Sequence, residues 1–244
     1  MKVVTLIKNM GQYFGIEMTR YRPLLADSMV VRNILAKYDI NLVIDVGANV
    51  GQYALSLRKD GYTGKIVSFE PLQSAHQVLV KESALDNDWF VPSPAAIGEQ
   101  EGEIEINIAG NSVSSSILKM EKRHVEAAPH SAYIDTEMVR LATLDNISKP
   151  FFADDDQIYL KIDTQGYEES VLNGAKDLLP KVKLVQLEIS LVPLYEGQIL
   201  FIDMINKMKG LGFSVFSIIP GFKDPLTGQL LQCDCIFLND DLSL

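Results

Sequence analysis

Four acids and one lysine stand at related places along this chain. Asp45 lies in L-V-I-D-V (42–46) and Glu70 closes K-I-V-S-F-E (65–70). Asp163 closes Q-I-Y-L-K-I-D (157–163), with Lys161 two residues before it, and Glu188 lies in L-V-Q-L-E-I (184–189). Each interrupts a short, apolar, β-branched run near its C-terminal end. In an open α/β sheet those strand ends line the ligand crevice. A carboxylate placed there can pair with a cationic group, accept hydrogen bonds from ribose hydroxyls, or orient or deprotonate an acceptor hydroxyl. Lys161 and Asp163 share one face of their strand. Inside an apolar strand such a pair is costly unless its members bind each other or meet a ligand, and both readings stand at this point.

The turn after Asp45 narrows the ligand. In D-V-G-A-N-V-G (45–51), Gly47 and Gly51 permit a tight turn and a close backbone approach. The helix start that follows offers unpaired N–H groups, with Ala48 and Asn49 inside the turn. A dinucleotide fingerprint G-x-G-x-x-G would need glycines where Asn49 and Gln52 stand. The pattern D-x-G-x-x-x-G instead resembles motif I of the class I S-adenosylmethionine (SAM)-dependent methyltransferases. SAM has no pyrophosphate but carries an ammonium and a sulfonium, for which Asp45 is a suitable partner. Glu70, with Pro71 behind it, is placed for ribose hydroxyls of either SAM or NAD. Ala96 and Ile97, in S-P-A-A-I-G, could border an adenine ring. The expected cofactor set is therefore Asp45, Gly47, Ala48, Asn49, Gly51, Glu70, Pro71, Ala96, Ile97 and Asp163. Asp163 and Lys161 are the expected catalytic pair.

Other chemistry-bearing residues are less directed. The acids could together hold a divalent cation, although no residue is assigned as a metal ligand. His76 lies mid-helix. His124 and His130 fall in an aperiodic stretch, 110–134, suited to a lid, where either could serve as a base. Ser114, Ser115 and Ser116 in the same stretch could bind a polyhydroxyl acceptor. Asp154, Asp155 and Asp156 precede a strand at the opposite sheet edge and read as a solvated loop.

The elements that must position these groups follow from the apolar pattern. Residues 1–40 read as a helical segment, with Val30, Val31, Ile34 and Leu35 on one face. A domain over 41–244 then alternates strands and helices. Strands are expected at 42–46, 65–70, near 89–91, 157–163 and 184–189, with a half-exposed strand at 102–108 and a short one in M-V-R-L-A-T-L. Helices follow at about 50–59, from Pro71 to about Leu85, after Gly166 and at 198–209. F-S-V-F-S-I-I and C-I-F-L, separated by a spacer of turn residues, are expected to pair antiparallel. The fold class is thus α/β: a Rossmann-like sheet of seven main strands, mostly parallel with an antiparallel strand towards the C-terminus, and helices on both faces.

Composition bounds the rest. A hydrophobic content of 47% with 22% charged residues suits a globular domain with a full core. A net charge of −10 without a Lys/Arg cluster argues against a nucleic-acid partner. No stretch reaches the ~18 apolar residues of a membrane span, and the N-terminus lacks a signal-peptide apolar region, so a cytoplasmic protein is expected. Cys233 and Cys235, two apart on a strand, read as buried thiols. Oligomeric state is open.

Taken together the segments resemble the FkbM family of SAM-dependent methyltransferases. They are I-D-V-G-A-N-V-G-Q-Y, S-F-E-P, A-A-I-G, S-S-S-I, T-L-D-N-I, L-K-I-D-T-Q-G-Y-E, Q-L-E-I-S and C-D-C-I-F-L, spanning about 42–238. The resemblance implies O-methylation of a hydroxyl on a small molecule or glycan, with a sugar or polyketide-like acceptor. Many members have K-I-D-V-E-G-A-E where this chain has Thr164, Gln165 and Tyr167, so a charge is missing at Gln165. Different classes that the residues also allow are a SAM- or nucleotide-binding module without catalysis and an NAD(P)-dependent oxidoreductase.

Overall fold

The computed structural model of the chain describes Met10, residues 13–15 and residues 29–242. Most of the helical segment expected over 1–40 lies outside the described residues. Its apolar stripe does form α1 (Val30–Lys37), which buries Ile34 and Leu35.

The central sheet has seven strands. In chain order they are β1 (Leu42–Val46), β2 (Lys65–Phe69), β3 (Trp89–Phe90), β7 (Ile158–Ile162), β8 (Val182–Ser190), β9 (Phe213–Pro220) and β10 (Gln232–Asn239). Their spatial order is β3-β2-β1-β7-β8-β10-β9, with β10 antiparallel to both neighbours and the other pairings parallel. The order reverses between β1 and β7, and that is where a doubly wound sheet opens its crevice. This is the class I methyltransferase arrangement expected from the sequence.

β1 and β7 are buried at every position because helices cover both faces. On one face Ile44, Ile162 and Leu187 pack with α6 (Glu168–Asn173) and α7 (Phe201–Gly210) through Val171, Leu172, Met204 and Met208. On the other, Val43, Tyr159 and Leu184 pack with α1 and α2 (Gln52–Lys59). The register sets Asp45 opposite Lys161 and Lys161 opposite Gln186, so a polar row crosses this second face just below the crevice.

A second sheet was only partly foreseen. β4 (Ala96–Gly98), β5 (Gly102–Ala109) and β6 (Tyr133–Thr143) form a three-stranded sheet of order β4-β6-β5. The short strand expected in M-V-R-L-A-T-L is the C-terminal part of β6, whose other residues are largely exposed. A-I-G, expected only to border an adenine ring, is a strand because β6 supplies it with a parallel partner. Helix α3 (Gln73–Ser83) begins after Pro71, with Leu72 as its N-cap. Pro71 is therefore not in its first turn as expected, because Glu70 accepts the Leu72 N–H and holds that segment extended. Between β5 and β6 lies α4 (Lys122–Ala127). Cys233 and Cys235 are buried free thiols. Among the described residues no helix is long and apolar enough to cross a membrane.

Candidate active site

A cavity of about 440 Å³ opens at the C-terminal ends of β1, β2 and β7, with the second sheet as its outer wall. That volume lies within the ~300–1,000 Å³ of small-molecule and cofactor sites. The turn after β1 contributes Gly47, Ala48 and Asn49 to the lining, and the end of β2 contributes Glu70 and Pro71. Ala96 and Ile97 of β4 face it from the second sheet, and Lys161 and Asp163 from the end of β7.

Asp45 and Gly51, expected to touch a cofactor, do not line the cavity. Asp45 is fully buried beneath Lys161, whose Nζ lies 3.2 Å from Asp45 Oδ1 and 3.3 Å from Asp163 Oδ2. Ser68 Oγ donates to Asp45 Oδ2 at 3.4 Å. The lysine thus bridges a structural carboxylate below and a cavity carboxylate above. Burial pulls the Lys161 ammonium down, but the two carboxylates outweigh it and hold the group well above the ordinary lysine range. Gly51, at φ +92°, faces the Trp89 and Leu79 side chains, and these leave no room for a Cβ. Gly47, at φ +82°, passes so close to the Asp163 carbonyl oxygen that a methyl group would overlap it. Both glycines serve close protein packing.

Glu70 ties the β1 turn to the β2 end. Its two oxygens accept the N–H groups of Asn49 at 2.8 Å and Leu72 at 2.9 Å. Burial pushes this carboxyl up to about 7, against the pull of the two N–H donors. Each oxygen keeps lone-pair capacity towards the cavity. Asn49 adopts φ +48°, and its Nδ2 reaches Ser112 Oγ at 3.4 Å across the cavity rim. Ser112, Val113, Ser115 and Ile117 line the outer side, so the aperiodic stretch does border the site. Its serine hydroxyls are hydrogen-bonded to other protein groups. Ser115 Oγ donates to the Ser112 carbonyl, Ser114 Oγ accepts from Asn111 and Ser116 Oγ donates to the Gln165 carbonyl.

Around Asp163 the structure gathers residues that the sequence did not assign to the site. Gln165 Nε2 donates to Asp163 Oδ1 and to Glu188 Oε2, both at 2.7 Å, and Gln165 Oε1 accepts from Tyr195 at 2.7 Å. Gln232 donates to the same Glu188 oxygen at 2.8 Å. Burial, followed by the charges of Asp163 and Asp234, pushes the Glu188 carboxyl well up. Gly166, at φ +97°, turns the chain into α6 as expected. Glu168 reaches back to accept the N–H groups of Thr164 and Gly166, and burial pushes its carboxyl up to about 7. The alternation Lys161, Asp163, Gln165 was the available signal for this cluster, with Glu188 at the matching place on the next strand. Nothing local in the sequence points to Tyr195.

The histidines lie elsewhere. His76 contacts the Pro92 carbonyl at 2.7 Å. His124 is buried against Tyr195 and Phe222, does not line the cavity, and is lowered to about 4 by burial, so it does not supply a base there. Among the described residues no group of three or more His, Cys, Asp or Glu is disposed to hold a metal ion.

Residues 45–215 match the methyltransferase FkbM domain family. No curated protein matches the chain. Solved structures similar to it include an rRNA methylase from Streptococcus thermophilus, at 10% identity and TM-score 0.47, covering 91% of this chain and 99% of that one. Precorrin-6y C5,15-methyltransferase from Geobacter metallireducens is 9% identical with TM-score 0.42, covering 91% and 93%. TrmK from M. capricolum, solved with S-adenosylhomocysteine (SAH), is 10% identical with TM-score 0.47, covering 85% and 67%.

Proposed function

The chain belongs to the FkbM methyltransferase family and is a SAM-dependent methyltransferase, and from this we propose that it methylates a hydroxyl of a small molecule or glycan, such as a sugar or polyketide-like acceptor. The observation that carries this reading is Asp163, which lines the same cavity as Glu70 and the Gly47 turn and is held on both oxygens, by Lys161 and by Gln165. When bound, SAM supplies an activated methyl group on its sulfonium. Glu70 would take the ribose hydroxyls on its free lone pairs, and Ala96 and Ile97 would flank the adenine. Asp163 accepts the proton of the acceptor hydroxyl, and Lys161 fixes that carboxylate in direction. Asn49 and Ser112 meet across the rim. The net charge of −10 supports an acceptor that is not a polyphosphate.

Incubation with methyl-tritiated SAM and parallel panels of sugars, hydroxylated polyketides and RNA tests the reading. Label is expected in a hydroxylated small molecule or glycan. Asp163→Asn should lower turnover at least ~100-fold while SAH affinity stays within about threefold, because the amide cannot take the proton. Full turnover by Asp163→Asn would remove the base role, and label in RNA alone would remove the acceptor class.

Glu70 gives a pH signature. Ribose hydroxyls donate to the ionised carboxylate, so a ligand that binds it draws the group down from about 7 and releases a proton. SAH affinity measured by calorimetry should rise about tenfold from pH 6 to pH 8 in the wild type. Glu70→Gln should be nearly flat over that range. A wild-type affinity independent of pH would argue against a ribose contact at Glu70.

A further inference from the structure

Gln165 occupies an unusual position on several counts. It sits at φ +55°, a left-handed backbone conformation that is strained for a side chain of this size and is kept only where the surroundings enforce it. Its backbone carbonyl is held by Ser116 Oγ at 2.7 Å, and its side-chain carbonyl by the Tyr195 hydroxyl at 2.7 Å. The Tyr195 ring is buried, and its hydroxyl donates to the oxygen end of the amide. The NH₂ end, with its two hydrogens, is left facing Asp163 and Glu188, and each carboxyl accepts one of them.

Two carboxyls converging on one point ordinarily need a cation, a shared proton or a donor between them. Here the shared neighbour is the amide nitrogen. Lys161 serves the other oxygen of Asp163, and Gln232 adds a second donor to Glu188. We propose that Gln165 is a positioning residue that stands where a divalent cation would otherwise bridge Asp163 and Glu188, and that it aims Asp163 at the acceptor by hydrogen bonding without an ion. The proposal rests on the reading of Asp163 as the acceptor-facing carboxylate, but the bridge itself can be detected without any acceptor.

The direct readout is the Gln165 side-chain amide in ¹H–¹⁵N correlation spectra of the full chain, assigned by its disappearance in Gln165→Glu. Both protons are expected to exchange slowly with solvent and to be displaced from the positions of an exposed glutamine amide. Asp163→Asn should shift one and Glu188→Gln the other, with SAH binding reporting that each variant is folded. Tyr195→Phe removes the donor on the amide oxygen and should speed the exchange of both protons with solvent. Rapidly exchanging amide protons that respond to neither carboxyl substitution would overturn the proposal.

The second measurement is Mn²⁺ titration followed by electron paramagnetic resonance. Gln165→Glu exchanges the donor for a third carboxylate, and this variant should bind one Mn²⁺ at least tenfold more tightly than the wild type. The gain should vanish in Gln165→Glu/Asp163→Asn. Wild-type Mn²⁺ binding that is lost in Asp163→Asn would mean that an ion, and not the amide, bridges the pair. If the amide signature holds while Asp163→Asn keeps full turnover, the bridge stands and only the base role fails.

Discussion

Lys161→Met should lower the unfolding free energy by about 3–5 kcal/mol at neutral pH, the range for removing one partner of a buried ion pair. Asp45 has no access to solvent and would be left with only Ser68 as a donor, and Asp163 would lose the support on its second oxygen. The sign of the pH dependence identifies the cause. An unpaired buried carboxyl has its folded-state pKa raised above the unfolded value, so the native state takes up a proton that the unfolded chain does not. The deficit should therefore shrink as pH falls from 7.5 to 5 in urea titrations of the variant against the wild type. Asp45→Asn/Lys161→Met should recover part of the loss, because no buried charge remains. A single variant within 1 kcal/mol of wild type at pH 7.5 would show that the pair contributes little.

Gly47→Ala is the second large effect, and it should appear mainly in binding. At φ +82° the new methyl overlaps the carbonyl of Asp163, so the end of β7 must move away from the turn after β1. Both segments line the cavity. A displacement of an ångström can cost a factor of about a hundred where groups must be aligned, and SAH affinity should fall by roughly that amount. Gly51→Ala is the control. Its methyl meets the Trp89 and Leu79 side chains away from the cavity, so stability should drop while SAH affinity in the folded protein stays within about threefold. Equal loss of affinity in the two variants would mean that general destabilisation, and not the cavity wall, explains both.

The central sheet was legible in the sequence because buried parallel strands must be nearly all apolar, and 42–46, 158–163 and 184–189 are apolar except at the positions that face the crevice or the polar row. The same alternation placed Lys161 and Asp163 on one face, and the structure pairs them at 3.3 Å. Asp45 was expected to touch a cofactor, and it stops short of the cavity for a reason of depth. Sequence spacing gives its face but not that Lys161, one strand away, lies above it. Gly51 borders Trp89 and not the cavity, and in a sequence a left-handed glycine looks alike in either setting. β4 is three residues long and depends on a partner more than forty residues on, so no local pattern reveals it. Gln165 was read as a missing charge. Its role is set by Glu188 and Tyr195, which reach it only through the tertiary fold.

The position of β10 has a consequence for how the molecule acquires its site. β10 lies between β8 and β9, so the strand latest in sequence separates two that precede it. Until it inserts, β8 and β9 present unpaired edges, and the neck of the sheet is open to wrong pairing. β10 also carries Gln232, which holds Glu188, and Asp234, which accepts from Gln186 in the polar row. Such long-range strand insertion is slow compared with helix and hairpin formation. The apolar core can therefore collapse well before the carboxyls are framed, and competence to bind is among the last properties the folding chain gains.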